Sequence, residues 1–404
     1  ISGDAASAQI VAMQVTTGNP DVLANGSDRH TVNVRVEDQF GNVLPEQTVT
    51  FTATKGAAVF ANAGQSADIR TDAHGMAEVD LSSTVADAST VEAKVNQSSD
   101  SKTVNFVADV STAQVAELVV TQDGSVADGA TANTLRVKVT DAFGNALAGQ
   151  TVSVMADNGA AVASTMTTKP DGTVEISVTS QTAGASTVTA SINSSSLSRN
   201  VTFVADVRTA QIADLVVIKD GSVADGATAN TLQVKVTDAN GNTLAGQTVS
   251  VMADNSATVT PTVITEPDGT VEISVTSQTA GTSTVTATIN NSSQSQNVTF
   301  VPGDASQLTS TVETNKSNYT VGETITITVT LRDAFDNLVT GAASQLAADG
   351  VLTVAGTDPS ETGSWVESGG VYTTTRMATI AGNNQHANLQ LQTWSDGVTS
   401  DRYD

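Results

Sequence analysis

The chain has 404 residues, no cysteine, and 42 acidic against 17 basic residues, for a formal net charge of −25. The missing cysteines exclude disulfides and thiolate metal sites. The negative charge disfavours phosphate backbones and anionic membrane surfaces, so nucleic acid is not an expected partner. Thr, Val, Ser and Ala outnumber Leu, Lys and Glu, which favours strands, because β-branched side chains suit a pleated surface. No apolar run reaches 18 residues, so no membrane-spanning helix is expected. The opening ISGDAASAQI is neither an initiator methionine nor a signal peptide, and the chain reads as a piece of a longer one.

In chain order, the first strong pattern is HTVNVRVEDQFGNVLPEQTVTFTATKGA at 30–57, an alternating run that ends on Asp38 before a Gly-Asn turn. At 105–120 stands NFVADVSTAQVAELVV. One strand-like run ends there at Phe106-Val107 and another begins near Gln114, with no Gly/Ser linker between them. The next unit alternates throughout: Leu135, Val137 and Val139 against Arg136, Lys138 and Thr140, then Val174, Ile176 and Val178 against Glu175, Ser177 and Thr179. Val188, Ala190 and Ile192 share a face, as do Val201 and Phe203. Period-two alternation is the mark of strands that bury one side. Turn pairs separate the runs: Asp123-Gly124, Asp128-Gly129, Gly144-Asn145 and Asp171-Gly172.

This unit then recurs. Residues 127–160 and 224–257 are identical at 30 of 34 positions, and 170–184 reappears unchanged at 267–281. Phe106, Phe203 and Phe300 keep the same 97-residue step. Near the end, TITITVTLRDAFDNLVTG at 324–341 aligns Asp333 with Asp38, Asp141 and Asp238, although Asp336 stands where the other units have the turn glycine. Four units of domain size follow, at 1–109, 110–206, 207–302 and 303–404. About seven short antiparallel strands per unit predict an all-β protein of tandem immunoglobulin-like β-sandwiches forming an elongated rod. The competing up-and-down barrel accounts less well for compact units in strict series.

The stretches TANTLRVKVTDAFGNALAGQTVSVMADNGA and DGTVEISVTSQTAGASTVTA resemble the bacterial immunoglobulin-like repeats of the intimin/invasin adhesins. The resemblance is strong in the second and third units, good in the first and weaker in the fourth. It implies a Gram-negative surface adhesin whose outer-membrane anchor lies outside this chain, with a rod of such domains projecting outward. A host cell-surface or matrix protein or glycan would then be the partner, and the rod would be monomeric. The alternative is a structural spacer of a filament or biofilm protein with no receptor of its own.

The joints FVADVSTAQV, FVADVRTAQI and FVPGDASQLT are variants of one pattern. Connectors this short press adjoining domains together, and Pro302 stiffens the last by fixing its φ. Little here suggests catalysis. His30, His74 and His386 lie apart in loop-like contexts, so no nucleophile, base and orienter converge, and neither an enzyme nor a cofactor is expected. Asp123, Asp128, Asp220 and Asp225 have the right oxygens for Ca²⁺, but Asp-Gly is common turn chemistry. Asp38, Asp141, Asp238 and Asp333 read as Asx-type turn formers.

All the Trp and Tyr residues fall in the last unit: Tyr319, Trp365, Tyr372, Trp394 and Tyr403. They read either as a core of larger side chains or as interface anchors, and Trp394, Trp365 and Tyr403 are the candidate ligand contacts. Strand alternation over ANLQLQTW turns Trp394 away from Leu389 and Leu391, and so predicts its exposure.

Overall fold

The computed structural model describes residues 1–404. It divides into two compact units, 1–204 and 205–404, and each contains two separate hydrophobic cores. In the first unit the cores run from Ala8 to Phe106 and from Ala113 to Phe203. In the second they run from Ala210 to Phe300 and from Val312 to Tyr403.

The second core shows how the pattern becomes a sandwich. Its strands are β1 (Gln114–Gln122), β2 (Asn133–Thr140), β3 (Thr151–Ala156), β4 (Thr165–Thr167), β5 (Thr173–Val178), β6 (Gly184–Ile192) and β7 (Ser195–Phe203). One sheet is ordered β1-β2-β5 and the other β4-β3-β6-β7, with every ladder antiparallel. Leu135, Val137 and Val139 on β2 are wholly buried, with Leu135 opposite Ile176 and Val137 opposite Val174 across the ladder, while Arg136 is exposed. Val188 and Ala190 on β6, with Val201 and Phe203 on β7, fill the core from the facing sheet. After β1 the chain crosses to the other sheet, and Val126 makes a parallel bridge with Val204 just beyond β7. This parallel pairing departs from the all-antiparallel expectation. It covers the edge of the last strand, which would otherwise offer unpaired backbone to another chain.

Gly172, in the turn between β4 and β5, has φ near 79°. A Cβ there would stand 2.7 Å from the Val139 carbonyl oxygen, so both conformation and space require glycine. The third core repeats this arrangement in sheets of three and four strands. In the first domain a short strand, Asp21–Leu23, pairs in parallel with Ser98–Val107, giving sheets of four and five strands.

The last domain is less regular. A four-stranded sheet (Thr311–Thr314, Thr324–Thr330, Val371–Met377 and Val366–Ser368) is accompanied by a three-stranded one whose strands are two or three residues long, and a short helix, Ala343–Leu346, follows the second strand of the four-stranded sheet in sequence. Asp336 adopts φ near 71° in place of the usual turn glycine. Its carbonyl accepts a 2.8 Å hydrogen bond from the Arg332 guanidinium, so the turn keeps its course with a side chain that tolerates the left-handed region.

The three repeat phenylalanines close their cores, with Phe203 only 1% exposed. Phe203→Ala is expected to destabilise its domain by about 3–5 kcal/mol through lost burial and a residual cavity. The exposed neighbour Thr202 changed to Ala should cost less than about 0.5 kcal/mol. Denaturant unfolding of the two variants checks this, and equal losses would contradict the assignment of Phe203 to the core.

Candidate functional site

The most elaborate polar structure in the chain lies at the joints. Beyond Val107 the chain makes a single 3-10 turn, Val110–Thr112, capped by Asp109, whose Oδ1 accepts from the Ser111 N–H at 3.0 Å and the Ser111 hydroxyl at 2.6 Å. The Asp109 N–H in turn donates to Asp141 Oδ2 at 3.1 Å. Asp141 is fully buried at the end of β2. Its Oδ1 accepts from the Phe143 and Asn145 N–H groups at 2.9 Å each, and the Asn145 amide donates to Oδ2 at 2.9 Å. Asp141 is therefore an Asx turn former that also holds the connector.

Asn145 completes the joint from the other side. Its Nδ2 donates to the Thr84 carbonyl at 2.9 Å, and its Oδ1 accepts from the Ala86 N–H at 2.8 Å. Both partners belong to a loop of the preceding domain. One five-residue turn thus closes its own hairpin, fixes the connector and grips the neighbouring domain.

The same turn appears elsewhere. Within the second unit, Gly303 N–H donates to Asp333 Oδ2 at 2.9 Å, Asn337 Nδ2 donates to the Gln278 carbonyl at 2.8 Å, and Ala280 N–H donates to Asn337 Oδ1 at 2.7 Å. Asp238 Oδ2 takes the Asp206 N–H at 3.0 Å and the Asn242 amide at 2.9 Å. Asp38 Oδ2 takes the Asp4 N–H at 3.1 Å and the Asn42 amide at 2.9 Å. The readable signal was the spacing Asp-x-x-x-Asn, present in all four units. The sequence reading assigned turns to the aspartates and stiffness to the connectors without linking the two.

At Asp38 and Asp141 these hydrogen bonds favour the ionised carboxylate. Donation by the Asn42 side chain, with N–H groups of Asp4, Asn42 and Phe40, holds the Asp38 carboxyl at about 2, below its ordinary 3.8. Burial pushes Asp141 upward, but the Asn145 side chain and the N–H groups of Asn145, Asp109 and Phe143 outweigh it, leaving the carboxyl lowered.

The carboxylates of the Asp-Gly turns also accept backbone hydrogen bonds. Asp123 Oδ1 accepts from Gly124 and Thr202 N–H groups, and Asp128 accepts from Ala130 N–H, Thr131 N–H and the Thr131 hydroxyl. The Thr131 and Thr228 hydroxyls are the main causes that bring Asp128 and Asp225 to about 2. These carboxylates organise the backbone of their own turns.

His30 corrects the loop reading. It opens the strand His30–Glu37, is 1% exposed, and lies 2.7 Å from the Asn105 carbonyl through Nε2 and edge-on to Phe106. The ring is a core aromatic whose nitrogens are satisfied by Thr17 and Asn105. His74 is exposed, and His386 is half-buried with Nδ1 on the Ser400 carbonyl.

The expected exposure of Trp394 is also corrected. The strand Ala387–Leu389 ends before it, and a turn closed by Trp394 N–H to Leu391 carbonyl swings the indole inward. Trp394 is 9% exposed and its Nε1–H donates to the Ala305 carbonyl at 2.8 Å. Tyr403 is buried, donates to the Ala355 carbonyl at 2.8 Å, and stacks edge-to-face on Tyr319; burial raises its hydroxyl to about 12. Trp365 is half-buried and directly precedes the strand Val366–Ser368. The three candidate contacts are therefore not gathered on one surface, and Trp365 is the one that remains partly open.

The sequence matches the family model of the bacterial Ig-like domain (group 1) at residues 12–107, 115–204 and 212–301. Over 237 residues it is 33% identical to the inverse autotransporter adhesin YeeJ of Escherichia coli strain K12, a stretch that makes up 55% of this chain and 10% of YeeJ. The chain thus spans about a tenth of the length of that curated relative. Among solved structures, the Escherichia coli adhesin FdeC is similar over 74% of this chain and 100% of its own, at 21% identity and a TM-score of 0.48. Invasin, a bacterial integrin-binding protein, is similar over 97% of this chain and 79% of its own, at 20% identity and a TM-score of 0.44.

Asp38 gives the Asp-x-x-x-Asn turn a pH signature. Its carboxyl is ionised in the folded state down to about 2, against 3.8 ordinarily. The stabilisation it supplies is therefore full above pH 3.8 and is lost as pH falls through about 2. A side-chain carboxyl titration by NMR should give a value near 2 for Asp38, rising toward 3.8 in Asn42→Ala. A value near 3.8 in the unaltered chain would contradict the hydrogen-bonded turn.

Proposed function

The chain belongs to the bacterial Ig-like domain (group 1) family, and from that membership we propose that it is the extracellular stalk and adhesion segment of a Gram-negative surface adhesin. The observation that carries the reading is the 33% identity to an inverse autotransporter adhesin across tandem repeats of this family. The joints supply its mechanical side. Within a pair of domains, a buried carboxylate fixes the connector and an amide holds the neighbouring loop, so the joint resists bending without a bulky interface.

In this reading the first three domains project, and the fourth, which alone carries Trp and Tyr, contacts a host cell-surface or matrix component. Anchoring belongs to a region outside this chain, in the outer membrane. No helix is long and apolar enough to cross a membrane, which leaves a β-barrel anchor untouched. The polar residues described above serve turns and joints, and no chemical step is assigned to them.

A second reading has an observation of its own. The second and third repeats are nearly identical, which suits spacers better than specific binding faces. That favours a structural segment with no receptor.

Binding of the purified chain to cultured epithelial cells and to immobilised matrix proteins separates the two. The adhesive reading expects saturable binding that a chain ending at residue 302 lacks. Binding no greater than that of the 1–302 chain would leave the spacer reading.

A further inference from the structure

In the fourth domain a charged side chain stands where the strand pattern demands an apolar one. The strand Val371–Met377 alternates inward at Tyr372, Thr374 and Arg376. Arg376 pairs across the ladder with Ile325 and is only 8% exposed. Its Nη1 donates to the Thr374 hydroxyl at 3.2 Å and the Thr375 carbonyl at 3.0 Å. Nε and Nη2 have no partner in the protein, and no carboxylate lies within ion-pair distance. A buried guanidinium without a counter-charge is costly, and its fork geometry matches a carboxylate in a bidentate pair.

Arg376 lines a cavity of about 60 Å³ together with Asp349, Glu361, Thr362, Gly363 and Trp365. The covering loop is built to lie close. A Cβ on Gly363 would collide with the guanidinium and with the Thr374 hydroxyl. Asp358 holds the loop by accepting from the Ser360 N–H and hydroxyl, and Glu361 Oε2 accepts the Met377 N–H at 3.1 Å. The cavity is large enough for a carboxylate group and too small for a sugar ring, which would rest on the rim beside Trp365.

We propose that this pocket binds a sugar acid, a uronic or sialic residue of an acidic glycan, with its carboxylate on Arg376, its hydroxyls donating to Asp349 and Glu361, and its ring against Trp365. The mixed set of groups selects this class. Arg376 calls for an anion, whereas the two carboxylates call for hydrogen-bond donors on the same ligand. An acidic peptide brings the anion but no hydroxyls to donate to Asp349 and Glu361. A neutral sugar leaves the guanidinium unpaired. The acidity of the rest of the chain is screened beyond about 8 Å at physiological salt, so contacts inside the pocket decide. The proposal deepens the adhesive reading of the fourth domain and rests on it.

The two Trp residues of the chain make the test direct, because Trp394 is buried and hydrogen-bonded and emission changes report on Trp365. The intact chain is titrated with sodium glucuronate, glucose and sodium glutamate, with saturation-transfer NMR on the ligand protons as a second readout. Glucuronate should give a saturable change, and glucose and glutamate should bind at least about tenfold more weakly. Arg376→Met should weaken glucuronate at least about tenfold. Should that variant fail to fold, Trp365→Ala, altered at the half-exposed rim, should lose saturation transfer to the sugar ring protons to a similar degree. No saturable glucuronate signal up to about 50 mM, or equal binding of glucose or glutamate, overturns the proposal. Cell binding that persists in Arg376→Met would sink the pocket's role and leave the adhesive reading standing.

Discussion

Within each two-domain unit the joint depends on a buried carboxylate that serves two masters. Asp141 takes the N–H groups and the Asn145 amide of its own turn, or a buried anion would be left without donors, and the connector N–H of Asp109 completes the set. Hydrogen bonds to an ionised acceptor are roughly twice as strong as neutral ones, and losing them would strand a buried charge. The connector's path is thereby tied to the integrity of the hairpin. Bending the joint means either breaking a charged hydrogen bond or distorting the turn that ends β2.

That arrangement explains why the connectors need no length. A flexible linker would let each domain reorient as a coil. Here the 3-10 turn after Asp109 delivers the chain into β1 within a few residues, and Asn145 meets the loop of the domain before it. Rigidity comes from a handful of directional bonds, which a repeat copies with little drift as long as Asp and Asn keep their spacing. The fourth domain keeps the spacing at Asp333 and Asn337 while its sheets shorten and its core changes to Tyr and Trp. The attachment and the core have diverged independently.

Much of this was legible in the residues. Alternation at Leu135, Val137 and Val139 placed β2 and its buried face, and the Asp-Gly and Gly-Asn pairs placed the turns, because period and turn chemistry are local properties. The joint was legible only in parts. Which connector N–H reaches Oδ2 of Asp141, and which loop Asn145 meets, depend on contacts between residues 32 and about 60 positions apart, and no local pattern encodes those. His30 and Trp394 were misjudged for a related reason. The polar histidine is buried because its two ring nitrogens find partners, and the tryptophan turns inward because the strand stops at Leu389. Arg376 hid in an otherwise ordinary alternating strand, where its charge was the one departure from the pattern.

The stiffness of the first joint is the claim on which the stalk reading stands. The chain has no cysteine of its own, so Ser101→Cys and Met155→Cys, both at exposed positions, place one spin label on each side of it. Pulsed electron-electron resonance should give a single narrow distance distribution, which broadens when Asn145→Ala removes the bonds to Thr84 and Ala86. A distribution already broad in the unaltered joint, and indifferent to Asn145, would contradict the account.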